Sequence, residues 1–589
     1  MKVTRVEPTE LATALKKILP STSPLPASTL IVPSSRMASA LRQDLTGSGA
    51  LAGVRFFTPI VAAEDILIKS GIAFQECSQT AFALGLQILI ESEDLKDRLE
   101  YFNLRQLRSG SGYSQAISIT LAELESAGLS ANALRKLSIG NGGIPEKRFH
   151  DLATLWAATD QKFLSDEPPA WTTARILQEA TRCLLEIPDA FPYPGPQILI
   201  LCGAPTNVEA RFYASIPDLQ IFYIPALPER REFTERLKYI SSLLGGELKN
   251  ETIPGDGKSE LDVLHAFLFQ SPKKLADPSR GRSQKLDGTV HLEVTSGIEE
   301  ELAVTVRWVA EQIFEHRTPL ERIAVLLPSL DPMAGMLVER LNRLDWAGYT
   351  VSNSRAEGQA PVYVAGGLPA RLLPSGLRIG ALLRTLQGRM GAEDLVDLVP
   401  GLQVPHIRGE DRPVTRAEAM EIVFSCGTLG GSSVHPDGYL EWRPVLLRRT
   451  QAIRKTIERE KDVDDPETLT YPRGGGHLRH QLEMIQSILP AIQAVEELCH
   501  RVHTKEPLES LWTAVRKFCD EWMVSLPDQA GLLVRMEESI QSLTRRWVAS
   551  VLQGDHALEA LQIQLDRVRL PVSRFGQPRI YIGTVKSAV

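Results

Sequence analysis

The chain has 589 residues, 43% hydrophobic and 23% charged, with a formal net charge of −7, the profile of an ordinary globular protein of several domains at ~150 residues each. That charge excludes a protein-wide basic field for nucleic acid and leaves only a local basic surface open. No stretch reaches the ~20 apolar residues that span a bilayer, and the opening MKVTRVEPTELATALKK lacks a signal-peptide core.

In chain order, ASTLIVPSSRMASALRQDL predicts a strand at 29–32, a turn and a helix, and GVRFFTPIVAAEDIL repeats the plan with a strand at 54–57. From about 75 to 187 the pattern is helical. PQILILCGAPTNVEARFYASIPDLQIFYIPAL then returns to strand, helix, strand; its segment 197–202 is apolar throughout, as in a parallel sheet covered on both faces. Residues 242–288, rich in Gly, Lys, Ser, Asp and Pro, read as a linker with one short helix, LDVLHAFLF. A second α/β unit follows: strand TVHLEV, helix IEEELAVTVRWVAEQIFEH, strand ERIAVLLP, helix MAGMLVERLNRL, strand GYTVS. From about 373 to 570 the chain is helical again, and RIYIG at 579–583 reopens the sheet. The expected fold class is therefore α/β, with two parallel-sheet domains, each carrying a large, mostly helical insertion.

The six cysteines, Cys77, Cys183, Cys202, Cys426, Cys499 and Cys519, form no C-x-x-C pair, so neither a zinc ribbon nor a redox motif is expected and a reducing cytoplasm is. Cys499, His500 and His503 lie close together in ELCHRVH without a second ligand cluster, and a structural role is expected for them. A phosphate loop needs Gly-x4-Gly-Lys-Ser/Thr between a strand and a helix, so that backbone N–H groups and Lys surround the phosphates. Gly257-Lys258-Ser259 matches only the end of it: Thr252 stands at the first Gly, and no apolar strand is expected before it. The strand at 29–32 is followed by PSSR, without glycine, and 197–202 ends in Cys202-Gly203, where an ATPase places acidic residues. No nucleotide cofactor, metal or catalytic residue is expected in this chain.

The order of the pieces resembles the AddB-type subunit of bacterial helicase–nucleases, relatives of superfamily 1 helicases of the UvrD/RecB kind. The likeness runs through TLIVPSSRMASALRQDL, VRFFTPIVAAEDIL and ILILCGAPTNVEARFYASI. It is most complete in EVTSGIEEELAVTVRWVAEQIFEHRTPLERIAVLLPSLDPMAGMLVERLNRLDWAGYTVSNS, with VAGGLPARLLPSGLRIGALLRTL after it, and YIGTVKSA is similar to the start of a late motor motif. The likeness spans about 28–589. It implies two RecA-like domains: 1–74 with 188–241 (a degenerate motor) and 289–395 with 571–589, the helical insertions being 75–187 and 396–570. It further implies a DNA-guiding body in double-strand break repair without its own ATPase site, DNA and an AddA-type motor subunit as partners, and no membrane. Pro328 stands where active helicases place an Arg. The family's PD-(D/E)XK nuclease would follow residue 589, so Mg and an iron–sulfur cluster are expected only there. The chain is accordingly read as a truncated product, poorly soluble alone.

Ser34, Ser35 and Arg36 stand just past a strand end, where open α/β sheets bind ligands. The resemblance places them against a DNA backbone, while a helix N-cap by Ser34 or Ser35 fits equally well. Thr58 and Thr584 follow strands in the same way. In WRPVLLRRTQAIRKTIEREK, Arg443, Arg448, Arg449, Arg454 and Lys455 form either a phosphate-facing surface or a solvated helix face. Gly366 and Gly367 are expected to serve a turn. Two other classes stay open: a sugar-nucleotide enzyme built from two α/β domains, and a protein-binding scaffold.

Overall fold

In the computed structural model the described residues are chiefly 2–6, 11–19, 28–46, 53–91, 98–108, 111–138, 144–164, 167–187, 195–224, 288–346, 361–403, 414–426, 434–462, 475–544, 553–571 and 579–584. They divide into two compact units, Met1–Glu301 and Leu302–Arg574 with Pro578–Thr584. The fold is α/β with parallel sheets.

The first unit is built on a six-stranded sheet. Its strands are β1 (Lys2–Val6), β2 (Ser28–Ile31), β3 (Val54–Phe57), β6 (Gln197–Leu201), β7 (Leu219–Tyr223) and β8 (Thr252–Ile253), in the order β3-β2-β6-β7-β1-β8. Every pairing is parallel. β6 is buried at all five positions, and its alternating side chains feed two cores. Leu199 and Leu201 meet helices α3 (Pro59–Lys69), α9 (Thr173–Glu186) and α10 (Asn207–Ser215); Ile198 and Ile200 meet α1 (Leu11–Lys16) and α2 (Ser35–Thr46). Burying those four side chains contributes roughly 6–12 kcal/mol gross, before chain entropy is set against it.

Between β3 and β6 the chain runs through β4 (Gln75–Glu76), helices α4 (Gln79–Glu91), α5 (Leu104–Arg108), α6 (Ser111–Ser126), α7 (Ala131–Ser138) and α8 (Ile144–Leu164), and β5 (Ala170–Trp171) before α9. β4 pairs in parallel with β5, and Phe74 stacks on Trp171 at 5.3 Å. The Asp151 carboxylate, fully buried on α8, accepts the backbone N–H groups of Glu100, Tyr101 and Phe102 at 2.7–2.9 Å. Three such donors satisfy a charge that would otherwise be costly to bury, and they anchor a loop that contributes little apolar surface.

The second unit holds a three-stranded parallel sheet, β9 (Ala324–Leu327), β10 (Val362–Val364) and β13 (Ile580–Thr584), with β13 in the middle. Helices α11 (Ile298–Ala310) and α12 (Met333–Leu341) cover it. Helices α13 (Pro374–Gln387), α14 (Ala392–Leu398), α15 (Arg416–Ser425), α16 (Arg443–Asp462), α17 (Gly475–His503), α18 (Leu508–Trp522), α19 (Gln529–Thr544) and α20 (Asp555–Arg567) intervene. They are bracketed by the antiparallel pair β11 (Leu368–Pro369) and β12 (Arg569–Leu570), which joins the start of the helical segment to its end.

The strands expected at 29–32, 54–57 and 197–202 stand at 28–31, 54–57 and 197–201, and 579–583 does enter the second sheet. Three expectations need correction. TVHLEV is not a strand: residues 290–294 lie outside any sheet, with Leu292 89% and Val294 91% exposed. Its alternation of apolar residues suits a strand, but the edge it would join is left unpaired by this segment. The first strand is Lys2–Val6, not 29–32; only its pairing with β7 reveals it. Thr252–Ile253, in the expected linker, adds a strand to β1, so a strand does precede Gly257-Lys258-Ser259, which itself lies outside the described residues, as does GYTVS. No described helix is long and apolar enough to cross a membrane.

Gly366 and Gly367 make the expected turn with φ of +76° and +84°. A Cβ on Gly367 would lie 2.5 Å from the Leu570 carbonyl oxygen across the β11–β12 pair. Gly367→Ala should therefore destabilise the second unit by about 2 kcal/mol, from left-handed backbone plus the clash. Gly335→Ala on α12, with nothing within 4 Å of the new carbon, should be neutral or stabilising. Denaturant unfolding midpoints of the two variants check this; equal midpoints would contradict it.

Candidate nucleic-acid interface

All first-sheet strands are parallel, so their carboxyl ends share one edge. Helix α2, after β2, packs on one face, and α10, after the neighbouring β6, packs on the other. Opposite departures from adjacent strands open a crevice between their ends, where sheets of this kind bind ligands. The crevice is bordered by Pro33, Ser34, Ser35 and Arg36 on the β2 side and by Cys202, Gly203, Ala204 and Pro205 on the β6 side.

Ser34 is half-buried, and its hydroxyl accepts the Met37 N–H at 3.2 Å; it caps α2. Ser35 is exposed beside it, and Arg36 is half-buried. Thr58 caps α3, accepting the Val61 N–H at 3.5 Å ahead of Pro59 at the first helical position. Thr206 and Glu209 close a reciprocal capping box on α10, so the Glu209 carboxylate is committed to the Thr206 backbone N–H and hydroxyl. Burial pushes the Cys202 thiol up to about 11, which leaves it protonated and weakly nucleophilic at neutral pH. The described side chains bordering this crevice include hydroxyls and the Arg36 guanidinium, which is itself engaged within the protein, and form no acid–base pair. Beyond it, on the β6 side, a groove of about 790 Å³ is lined by Gln79, Ile119, Glu123, Ala127, Pro205 and Asn207; Asn207 holds its wall, donating to the Ala127 carbonyl at 2.9 Å.

In the second sheet Thr584 is the last residue of β13, half-buried and opposite Leu327. After β9, Pro328 is followed by Ser329, whose hydroxyl donates to the Asp331 carbonyl at 3.0 Å, and Asp331 is ion-paired with Arg371. That strand end is thus occupied by its own turn.

The basic segment 443–459 lies on α16. Arg448, Arg454, Lys455 and Arg459 are exposed. Arg449 is turned toward α17 and donates to the Gln481 side chain at 3.0 Å, so its role in the helix pair is structural. Farther along α17 the ELCHRVH trio separates. Cys499 is buried, its thiol pushed up to about 12 by burial. His500 and His503 face Asp437 at 2.7 and 3.5 Å, and His435 stands 3.3 Å from the same carboxylate. The His500 hydrogen bond holds the Asp437 carboxyl below its usual range. Asp437 came from a separate loop, so the sequence offered no sign of this cluster. Among the described residues no group of three or more His, Cys, Asp or Glu is placed to hold a metal ion.

A buried acidic pair also escaped the sequence reading. Glu125 on α6 and Asp160 on α8 line a small cavity with Cys77, Trp171, Thr172 and Arg175. The Thr172 hydroxyl donates to Glu125 at 2.6 Å. Burial raises Glu125 to about 7 and Asp160 to about 6. The available signal was a glutamate at a core-facing position of AELESAG. The pair sits inside the helical insertion, beside the end of β5.

Compared with known protein families and with curated proteins, the chain matches none.

The raised acids make stability depend on pH in a definite direction. Their folded values lie above the ordinary 4.5 and 3.8, so the folded state holds protons the unfolded state has released. Their contribution is full below the unfolded values and is lost as pH rises through about 6 to 7. Glu125→Gln should therefore gain stability relative to wild type between pH 5 and pH 8, by up to about 3 kcal/mol. Thermal unfolding at the two pH values measures the difference; a pH-independent gap would refute the assignment.

Proposed function

We propose that the chain is the non-motor, DNA-guiding body of an AddB-type helicase–nuclease subunit, with two RecA-like domains each interrupted by helices. The observation that supports this most is the return of Ile580–Thr584 to the middle of a parallel sheet whose other strands are Ala324–Leu327 and Val362–Val364. A whole helical segment is thereby spliced into an α/β domain, as the resemblance implies. The first unit supports the same plan: helices α4–α8 enter between β3 and β6, and the crevice at the β2–β6 edge presents Ser34, Ser35 and Arg36.

The same edge supports a guiding role over a motor role. Its hydroxyls cap helices, its loop lacks glycine, and β6 ends in Cys202-Gly203, so neither a phosphate cradle nor a magnesium ligand is offered there. ATP hydrolysis falls to a partner of the AddA type. DNA contact would be electrostatic and sequence-independent, because hydroxyls and guanidinium groups recognise phosphates and carry no base code.

Two measurements test this. The protein should bind single-stranded or end-bearing DNA in a gel shift, with affinity falling as salt rises, and Arg36→Glu should weaken it several-fold. Isothermal titration with ATP and Mg²⁺ should show no binding. Absence of any DNA complex at low salt, or micromolar ATP affinity, would overturn the proposal.

A further inference from the structure

Cations on this protein's surface are commonly matched by carboxylates one helical turn away: Lys69 with Asp65, Arg175 with Glu179, Arg343 with Glu339, Lys517 with Glu521. Helix α16 carries several exposed cations without such a partner. Arg448, Arg454, Lys455 and Arg459 are exposed, and among the described residues none of these four side chains has a hydrogen-bond or ion-pair partner. At 100° per residue, Arg448, Lys455 and Arg459 fall within about 40° of one another and span about 16 Å along the helix, while Arg454 lies about 120° round from Arg448. Lys455 and Arg459 stand four residues apart, a spacing at which like charges repel. The one carboxylate among them, Glu458, pairs with none of them. The opposite face is fixed by burial: Leu446 and Ile453 are in the core, with Val445 at its edge, and Arg449 is bonded to Gln481. The helix therefore cannot roll to hide the cations.

No described carboxylate is paired with this line of cations. Its members stand about 10 and 6 Å apart along the helix, distances that anions strung along one flexible chain can match. We propose that the exposed face of α16 is a nucleic-acid track that takes the phosphates of a single strand through Arg448, Lys455 and Arg459. The track is sequence-independent, because ammonium and guanidinium groups meet phosphate oxygens without reading base edges. This rests on the DNA-guiding reading and adds to it a second contact surface, in the second unit, and three phosphate contacts.

The test is fluorescence anisotropy of a labelled poly-dT oligonucleotide over a range of NaCl concentrations. Each lost phosphate contact lowers the slope of log K against log salt by about 0.7. Arg448→Glu/Lys455→Glu/Arg459→Glu should therefore flatten the slope by about 2. Arg343→Glu/Lys517→Glu/Arg535→Glu makes the same change of net charge at cations that are paired within the protein, and should leave the slope nearly unchanged. Arg448→Lys/Arg459→Lys should retain it. Circular dichroism checks that the variants fold; a triple reversal that unfolds is replaced by Arg448→Gln/Lys455→Gln/Arg459→Gln, for which the same flattening is expected. If wild type binds poly-dT and both reversal triples change the slope alike, the α16 assignment fails while the DNA-guiding reading stands. If wild type binds no DNA, that reading fails and the track with it. Tighter capture of phosphatidylserine vesicles or polyglutamate than of poly-dT at equal salt, lost in the α16 triple alone, would also overturn the nucleic-acid assignment.

Discussion

The first unit rests on strand Gln197–Leu201, which is buried along its whole length. A strand apolar on both sides is stable only if both faces are covered, and parallel neighbours oblige the chain to cross over between strands, usually by a helix. Helices α3, α9 and α10 fill one face and α1 and α2 the other. Because the helices after β2 and β6 leave to opposite faces, a crevice opens between those strand ends. The site is thus a consequence of how the core is covered. Residues at its rim are occupied first by the helix ends they terminate, as the capping bonds of Ser34, Thr58 and Thr206 illustrate.

The second unit answers a different constraint. Its central strand arrives after the whole helical segment, so the sheet closes only when residues far apart in sequence have met. The β11–β12 pair shortens that problem: Leu368 lies opposite Leu570, bringing the chain just before β13 back to the residues just after β10. The glycine turn at 366–367 is what lets the two backbones approach so closely. Loop-closure entropy grows only slowly with length, so such an insertion is tolerable once its ends are pinned together.

Carboxylates in this protein are largely engaged: Asp151 by three backbone donors, Glu209 and Glu418 in capping boxes, Asp437 by histidines, Glu125 by a threonine hydroxyl. The exposed cations of α16 have no such engagement among the described residues.

Much of the architecture was legible in the sequence alone. Continuous apolar runs such as ILIL mark strands buried on both faces, and threonine followed by a helical apolar stripe marks a capped start, so β2, β3, β6, β9 and β13 and their helices could be read locally. The absence of a glycine-rich loop after residue 32 and of an acidic end to β6 is likewise a property of composition. Other features depended on partners distant in the chain. KVTRV becomes a strand through β7, and Thr252–Ile253 through β1, while HLEV, with a better strand pattern, finds no edge. Asp437 meets His500 and His503 from another loop, Glu125 meets Asp160 across two helices, and Arg449 but not Arg448 is drawn into the α16–α17 contact. Periodicity reports which face of an element is apolar; only the tertiary structure decides what that face, and each charge beside it, is placed against.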